Sequence, residues 1–226
     1  MRALMAGGGA CLLVLSLPVA RGAWEAQKAD GIVTDLRLGH PLDLPRVQAG
    51  IADLDRAVAA DPVAGRYLER SELLGGAGLT YNLAMSKEER TALLRRAEAD
   101  LRRGLANAPA RGIDWLRLAA MIEVLEGASR QVLPPLFLSI DYAPLIPQTW
   151  FPRLRIILDC WPYFDDAQKA KITAYLRQNW RAAQDRRFFA WAIHSVADEL
   201  ILRFFLRDEP GAQEEIGKLI KQEMRH

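Results

Sequence analysis

Apolar side chains recur every three or four residues along most of this chain, which is the spacing of one face of an α-helix. No stretch alternates between apolar and polar residues in the way that a half-buried β-strand does. Helix-start and helix-stop signals divide the pattern into roughly nine segments, so the sequence predicts an all-α fold of antiparallel helix pairs. The predicted helices are Arg46–Ala60, Arg66–Leu74, a long helix capped by Ser86, Ile113–Leu125, Val132–Ile140, Trp150–Trp161, Asp165–Ala183, Asp185–Leu206 and Ala212–Met224.

Two kinds of local signal place the ends of these helices. Ser86 stands three residues before Glu89, which is the spacing of a capping box at a helix start. Asp61-Pro62 ends the first helix, because proline cannot continue one. The glycine-rich stretch 75–78 predicts a break after Leu74, since glycine is a poor helix former.

One pair of segments follows the spacing of a tetratricopeptide repeat. Ala97, Leu101 and Gly104 precede Pro109, and a Trp-x2-Leu-Ala-x2-Ile stretch begins six residues later. Small residues let two helices approach closely, bulky ones fill the space between them, and the proline ends the second helix. The residues predicted to form this repeat core are Ala97, Leu101, Pro109, Trp115, Leu118 and Ala119.

The block from about Arg46 to Leu206 resembles the degenerate tetratricopeptide-like proteins that proteobacteria encode near genes for surface polysaccharide synthesis. This resemblance implies an irregular right-handed array of helical hairpins, a protein partner in an envelope assembly, and no assigned catalysis. Pro134-Pro135 interrupts the third unit, so a regular concave groove is not expected. The residues that carry the resemblance are Asp61-Pro62, Leu101 through Pro109, Trp115 through Ala119, Leu138 through Ile140, Pro152 through Leu154, and Trp180.

The first residues differ in kind from the rest of the chain. A basic Arg2 precedes an uncharged stretch that is short for a membrane span, and Ala20-Arg21-Gly22 offers small residues for cleavage. Residues 1–22 are therefore expected to be a signal peptide or, as an alternative, an uncleaved membrane anchor. Residues 23–45 are expected to form an extended lead-in segment, and residues 46–224 a single helical domain in an exported or periplasmic protein.

Charge and cysteine content narrow the functional classes. The formal net charge of the 226-residue chain is only +2, which gives no electrostatic case for binding nucleic acid. If the chain is cleaved after Gly22, Cys160 is its one cysteine, and a single thiol cannot form an internal disulfide. Because its neighbours are apolar, we expect Cys160 to be a buried structural thiol rather than a nucleophile.

Few residues suggest catalysis. His194 and Asp198 are one helical turn apart, which would suit two metal ligands, but no second cluster completes a site. The glycines at 75–78 follow no strand and precede no Lys-Ser/Thr, so a phosphate loop is not expected. Ser139 lacks the flanking glycines of a hydrolase nucleophile. The sequence therefore predicts no catalytic residue, no metal and no cofactor.

A basic and aromatic cluster at the start of the Asp185–Leu206 helix is the best candidate for an interaction surface. Cations beside aromatic rings can contact a lipid headgroup or a sugar ring, although a buried helix with a charged first turn explains them equally well. We expect an exported, non-catalytic adaptor that binds a protein partner; the alternative is a glycan-binding or enzyme-accessory domain with a tryptophan-lined cleft. The candidate surface comprises Arg187, Phe188, Trp191, Trp150 and Trp161.

Overall fold

The structure of the protein is a computed structural model. It describes the backbone of residues 2–80 and 85–223, and the side chains of residues 16–79 and 85–223. The chain divides into two compact units, unit 1 from Met1 to Pro109 and unit 2 from Ala110 to His226, where the sequence led us to expect one domain over residues 46–224. The boundary falls at the proline of the repeat-like spacing, where the helical hydrogen bonding stops.

The described residues of unit 1 form four helices, each packed against the next: α1 (Arg2–Arg37), α2 (Leu44–Ala60), α3 (Ala64–Thr80) and α4 (Lys87–Asn107). Neighbouring helices are antiparallel. Arg46 near the start of α2 pairs with Asp35 near the end of α1, whereas Arg56 near the end of α2 pairs with Glu25. Short connections between helices favour this antiparallel arrangement.

The expected extended lead-in over residues 23–45 is wrong for most of its length, because α1 continues as a helix to Arg37. Ala29, Ile32 and Val33 are buried, so this part of α1 belongs to the core of unit 1. Part of the predicted signal peptide, residues 1–15, lies outside the described side chains. Among the helices that the structure describes, none is both long and apolar enough to cross a membrane.

The expected break at residues 75–78 is also wrong, since α3 runs on to Thr80. Two of its glycines lie where a neighbouring helix approaches closely. A Cβ atom added at Gly76 would stand 2.6 Å from a methyl group of Leu36, and one added at Gly78 would stand 2.6 Å from a methyl group of Leu94. The glycines therefore serve helix packing, which stabilises the helix that their low propensity would otherwise end.

Helix α4 begins and ends as the sequence predicts. Ser86 and Glu89 form both hydrogen bonds of a capping box, and Pro109 follows the last residue of the helix, Asn107, by two positions. Ala97 and Leu101 are fully buried in unit 1. The predicted repeat-core side chains of this helix thus lie in a core.

Unit 2 is built from helices of 5 to 17 residues, and a single turn of 3₁₀-helix precedes three of them, at Arg130–Val132, Pro147–Thr149 and Trp161–Tyr163. The prolines at 134 and 135 occupy the first turn of α6, where a backbone N–H is not needed, so the helix tolerates them. Asp165 caps α8 in a second capping box, completed by Gln168. The helices are α5 (Gly112–Glu126), α6 (Leu133–Tyr142), α7 (Trp150–Asp159), α8 (Asp166–Ala182), α9 (Arg187–Trp191), α10 (Val196–Phe205) and α11 (Ala212–Glu223).

The single helix expected over Asp185–Leu206 is in fact two, α9 and α10. Ser195 accepts a hydrogen bond from the backbone N–H of Asp198 and so caps a new helix. This break also changes which side chains point inward. Ala197, which continues the helical spacing of Phe189 and Ile193, is exposed, whereas Leu202 is fully buried.

Helices are the one kind of regular secondary structure among the described residues, which confirms the all-α prediction, although there are eleven α-helices where roughly nine helices were predicted. In unit 2, Leu118 and Ala119 are buried, but Trp115 is only half-buried. The last predicted residue of the final helix, Met224, lies outside the described residues. The right-handed, tetratricopeptide-like arrangement stays a prediction.

Candidate functional site

A cleft of about 530 Å³ opens in unit 2, where the start of α7, the end of α8 and helix α9 come together. Its volume lies within the range of about 300–1,000 Å³ that is typical of small-molecule sites. Aromatic side chains and short polar ones share its lining, a mixture suited to ligands with both apolar and polar faces. The residues that line it are Pro147, Gln148, Trp150, Phe151, Ala182, Gln184, Asp185, Phe188 and Trp191.

The inner part of the cleft is a packed aromatic cluster. Trp150 is almost fully buried, and its ring centroid lies 5.9 Å from that of Phe188. The indole N–H of Trp150 donates a hydrogen bond of 3.3 Å to the carbonyl oxygen of Pro144. Phe188 in turn stacks on the buried Phe189, with centroids 4.2 Å apart. These contacts hold the inner wall in one arrangement before any ligand binds.

The outer part of the cleft carries two exposed aromatic rings. The residue Trp191 is 46% exposed, and Phe151 is 39% exposed. Large rings that remain in contact with water beside a pocket are a sign of a binding surface rather than of folding alone. Gln148 and Gln184, both exposed, place primary amides at the same opening.

The charged groups at the opening neutralise each other. The carboxylate of Asp185 accepts hydrogen bonds from the backbone N–H of Arg187 at 2.9 Å and from its guanidinium at 2.6 Å and 2.9 Å. These side-chain and backbone hydrogen bonds lower the pKa of Asp185, and the same pairing raises the pKa of Arg187. The Arg187 guanidinium also lies over the ring of Trp191, 5.4 Å from its centroid. Both groups are therefore charged, and their charges cancel.

The structure brings together three of the five residues of the predicted interaction surface, and a fourth lies beside them. Trp150, Phe188 and Trp191 line the cleft, while Arg187 covers Trp191 from outside the lining. Trp161 is elsewhere in unit 2: its ring packs edge-on against Phe205 at 5.0 Å and carries Lys169 above it. The tryptophan-lined cleft that the sequence suggested therefore forms without Trp161.

The other six lining residues were not predicted: Pro147, Gln148, Phe151, Ala182, Gln184 and Asp185. Gln148 and Phe151 flank Trp150 in the sequence, which is the one signal that could have identified them. Gln184 and Asp185 follow the end of α8, and nothing in the sequence pairs that connection with residues 147–151. Such a pairing depends on tertiary packing, which periodicity does not encode.

The His194–Asp198 pair has a structural role. The two residues do not share a helix, because α10 begins between them. One carboxylate oxygen of Asp198 accepts a hydrogen bond from the backbone N–H of His194 at 2.9 Å, and Arg155 approaches the same oxygen at 3.4 Å. Among the described residues, no group of three or more histidine, cysteine or acidic side chains could hold a metal ion. The pair thus ties the connection before α10 in place.

Glu123, Ser129 and Asp159 surround Cys160, and none of these residues lines the cleft. Burial raises the pKa of the Cys160 thiol to about 12, so the thiol is protonated and suits the structural role predicted for it. Burial, with the nearby charge of Asp159, also raises the pKa of Glu123 to about 7. One carboxylate oxygen of Glu123 and the hydroxyl of Ser129 are buried without a hydrogen-bond partner among the described residues. Glu123 is therefore a pH-sensitive group inside unit 2.

Comparisons with protein families, with curated protein sequences and with solved structures return no match for this chain. The tetratricopeptide-like resemblance is therefore carried by its own residues alone, from Asp61 to Trp180, and it stays a prediction. For the same reason, a ligand for the cleft has to be inferred from its chemistry: stacked rings, two amides and a neutralised charge pair.

Proposed function

We propose that this protein is a non-catalytic binding protein whose cleft in unit 2 holds a neutral carbohydrate. The observation that carries the proposal is the position of Trp191 and Phe151 beside Gln148 and Gln184 at one opening. A sugar ring has apolar C–H faces that can lie on exposed aromatic rings, and hydroxyl groups at its edge. Side-chain amides both donate and accept hydrogen bonds, which matches hydroxyl groups.

The charge pair at the opening favours a neutral ligand over a charged one. An aromatic pocket with a free carboxylate would suit a quaternary ammonium group, but Asp185 already accepts several hydrogen bonds from Arg187. The guanidinium also occupies one approach to Trp191, where it would repel a second cation. An anionic ligand, in turn, would have to compete with Asp185 for Arg187. A polar but uncharged ligand meets neither obstacle.

The lining also argues for binding rather than hydrolysis. Hydrolysis of a glycosidic bond commonly uses two carboxyl groups on either side of the bond. Among the cleft-lining residues, Asp185 supplies the one carboxylate, and hydrogen bonding to Arg187 lowers its pKa. A carboxylate with a lowered pKa is a poor general acid. We therefore propose that the protein holds a glycan without cleaving it.

Titration of the intact protein with soluble oligosaccharides tests this proposal. The neutral probes are maltohexaose, cellohexaose and the hexamer of N-acetylglucosamine, and the charged probes are a hyaluronan hexamer and tetramethylammonium. We expect one neutral probe to bind with a dissociation constant below about 1 mM, measured by calorimetry. Trp191→Ala should raise that constant at least about tenfold, because it removes the exposed stacking surface.

Trp24→Ala is the matched control, because Trp24 is an exposed tryptophan of unit 1, outside the cleft. Melting curves should show that all variants stay folded. The proposal is contradicted if none of the neutral probes binds, if a charged probe binds more tightly, or if Trp24→Ala weakens binding as much as Trp191→Ala does.

A protein-binding adaptor is the second candidate, and a groove in unit 1 favours it. This groove of about 440 Å³ runs between α2, α3 and α4 and is lined mainly by apolar side chains, including Val47, Ile51 and Leu93. Apolar grooves between helices commonly receive a helix or an extended peptide. Leu93→Glu should abolish capture of a specific partner from the native membrane fraction, whereas Ala99→Glu, at an exposed position of the same helix, should not. Equal capture by both variants would exclude the groove as the adaptor site.

Export to the envelope completes the proposal, and it is supported by the short apolar segment before Ala20-Arg21-Gly22. Cleavage after Gly22 would retain the buried Ala29, Ile32 and Val33, so the core of unit 1 would stay covered on that side. N-terminal sequencing of the exported protein should start near Ala23. An intact Met1 in the membrane fraction would select the anchored form, and an intact Met1 in the soluble cytoplasmic fraction would refute export.

A further inference from the structure

Helix α10 carries apolar side chains on two sides. Leu202 and Phe205 are fully buried in unit 2, whereas Val196, Leu200 and Phe204 are 75%, 63% and 46% exposed. The exposed three are spaced by four residues, so they form one stripe that rises about 12 Å along the helix. A helix that needed only its own neighbours would be polar on the outer side. The exposed stripe therefore calls for a second partner.

The charges beside the stripe are ordered by sign along the helix. Glu199 lies towards its start and Arg203 one turn later, and they form an ion pair of 2.8 Å. Arg207 follows another turn on, with its guanidinium 4.3 Å from the ring centroid of Phe204 and its Nε atom 3.6 Å from Asp208. On this flank an acidic side chain therefore lies N-terminal to Leu200, the centre of the stripe, and basic side chains lie C-terminal to it.

We propose that this stripe is the interface of a homodimer, in which a second copy of the chain packs its own α10 antiparallel to the first. About a two-fold axis at Leu200, Val196 meets the partner's Phe204, so a small side chain faces a large one at each end. The charged flank of one copy then faces the charged flank of the other, and the residues of the two flanks run in opposite directions. Measured along the helix axis, Glu199 of one copy and Arg203 of the other then differ in position by about 3 Å. Two ion pairs between the copies therefore form, one on each side of the two-fold axis.

The same order of charges favours a second copy over a membrane surface. Amphipathic helices that lie on anionic lipids have a polar face rich in lysine and arginine. Here Glu199 pairs with Arg203, and Asp208 lies between Arg207 and Arg177, so acids and bases alternate on this flank, unlike the face of a helix that lies on anionic lipids. In a parallel pair the two-fold axis runs along the helices, so the two charged flanks lie on opposite sides of the interface and Glu199 cannot pair with the partner's Arg203. The inference concerns a different surface from the cleft and does not depend on the proposed function.

Sedimentation velocity of the full chain over about 5–500 µM tests the interface. Each copy contributes three exposed apolar side chains, so the interface is small and we expect a weak dimer with a micromolar dissociation constant. Leu200→Glu should raise that constant at least about tenfold and leave a folded monomer. Leu38→Glu is the matched control, because Leu38 is 64% exposed in unit 1, and it should not change the dissociation constant.

A charge exchange tests the antiparallel register. In the proposed dimer, residue 199 of one copy faces residue 203 of the other. Glu199→Arg therefore places arginine against arginine, and Arg203→Glu places glutamate against glutamate, so each variant alone should be monomeric. Mixed in equal amounts, the two variants should form a heterodimer, because every arginine then faces a glutamate of the partner. Circular dichroism and melting curves check that both variants are folded.

Three results would overturn the proposal. One is a wild-type protein that is monomeric up to 500 µM. Another is a dimer that survives Leu200→Glu, or that dissociates equally with Leu38→Glu. The third is a mixture of the two charge variants that stays monomeric. If the monomeric wild type binds vesicles of phosphatidylglycerol and phosphatidylethanolamine and Leu200→Glu removes that binding, the stripe is a lipid-binding surface instead.

Discussion

Unit 1 and unit 2 each bury an arginine, but they satisfy its charge in different ways. In unit 1, Arg70 makes a two-pronged ion pair with the buried Asp100, through bonds of 2.6 Å and 2.7 Å. In unit 2, Arg153 is fully buried and donates to the carbonyl oxygens of Ser139 and Ala143, to the Ser139 hydroxyl and to Tyr175. The two carbonyl oxygens lie at the end of α6, where the helix dipole is negative. In unit 2 the C-terminal end of a helix thus compensates the charge of the buried arginine, as a carboxylate does in unit 1.

The two units also differ in what fills their interiors. All seven phenylalanines of the chain follow Pro109, and so does every tryptophan except Trp24. Every ring–ring contact among the described residues lies in unit 2. Unit 1 instead brings long helices together at small residues such as Gly50 and Gly76. Flat, bulky rings on short helices leave the cleft of unit 2 between them, which is why the proposed ligand site lies there.

The largest expected effect comes from breaking the charge pair of unit 1. Arg70→Met should lower the free energy of unfolding by about 3–5 kcal/mol, because it leaves the buried Asp100 carboxylate without its cation. Adding Asp100→Leu should recover most of the loss, since the pair is then replaced by apolar side chains. Urea denaturation followed by circular dichroism measures both. A double variant as unstable as the single one would show that the carboxylate is not the source of the loss.

Removing the buried arginine of unit 2 should cost less. Arg153→Met leaves neutral acceptors unpaired rather than a charge, so the expected loss is about 1–3 kcal/mol by the same denaturation measurement. Tyr175→Phe removes one of the acceptors and serves as the control, with a loss of about 1 kcal/mol. A larger loss for Arg153→Met than for Arg70→Met would reverse the comparison between the units.

The smallest expected effect is a pH dependence that arises in unit 2. The folded pKa of Glu123, about 7, lies above its ordinary value of 4.5, so the folded protein holds an extra proton between these values. Its stabilising contribution is therefore complete below about pH 4.5 and is lost as the pH rises through about 7. Glu123→Gln should raise the free energy of unfolding at pH 8 by about 1 kcal/mol and leave it almost unchanged at pH 4.5.

Two groups facing Glu123 also carry charge: Asp159 raises its pKa and Arg155 lowers it. Glu88→Gln, at an exposed position of unit 1, is the control and should not alter the difference in melting temperature between pH 4.5 and pH 8. If Glu123→Gln gives the wild-type difference between these pH values, Glu123 does not titrate in this range.

The sequence predicts helix ends best where a local hydrogen bond sets them. Ser86 caps its helix as expected, because the acceptor and the donor are three residues apart in the chain, and Asp165 caps the helix predicted to begin there in the same way. It fails where tertiary contacts outweigh propensity. The Gly-Gly-Ala-Gly stretch at 75–78 looks like a break, yet α3 continues because Leu36 and Leu94 require small residues there.

The candidate site shows the same division. Trp150, Phe188 and Trp191 could be selected from the sequence as aromatic residues near basic ones, and they do line one cleft. Trp161 could not be separated from them, because its contact with Phe205 joins residues far apart in the chain. The break before α10 was missed as well. A strong apolar period over Asp185–Leu206 predicted one continuous helix and concealed the capping signal of Ser195. Because the helix restarts at Ser195, the face of α10 that is exposed could not be identified from that period.

The close helix approaches in unit 1 also decide where the protein can be engineered. Replacing a helical glycine by alanine commonly stabilises a helix by about 0.5–1 kcal/mol. Gly31 in α1 would gain from this, since nothing lies within 4 Å of an added Cβ atom there. At Gly104 in α4 the same change would push a methyl group to 2.6 Å from Leu68 and force α3 and α4 apart. A thermostabilised version for crystallisation should therefore begin with Gly31→Ala and leave Gly104 as it is.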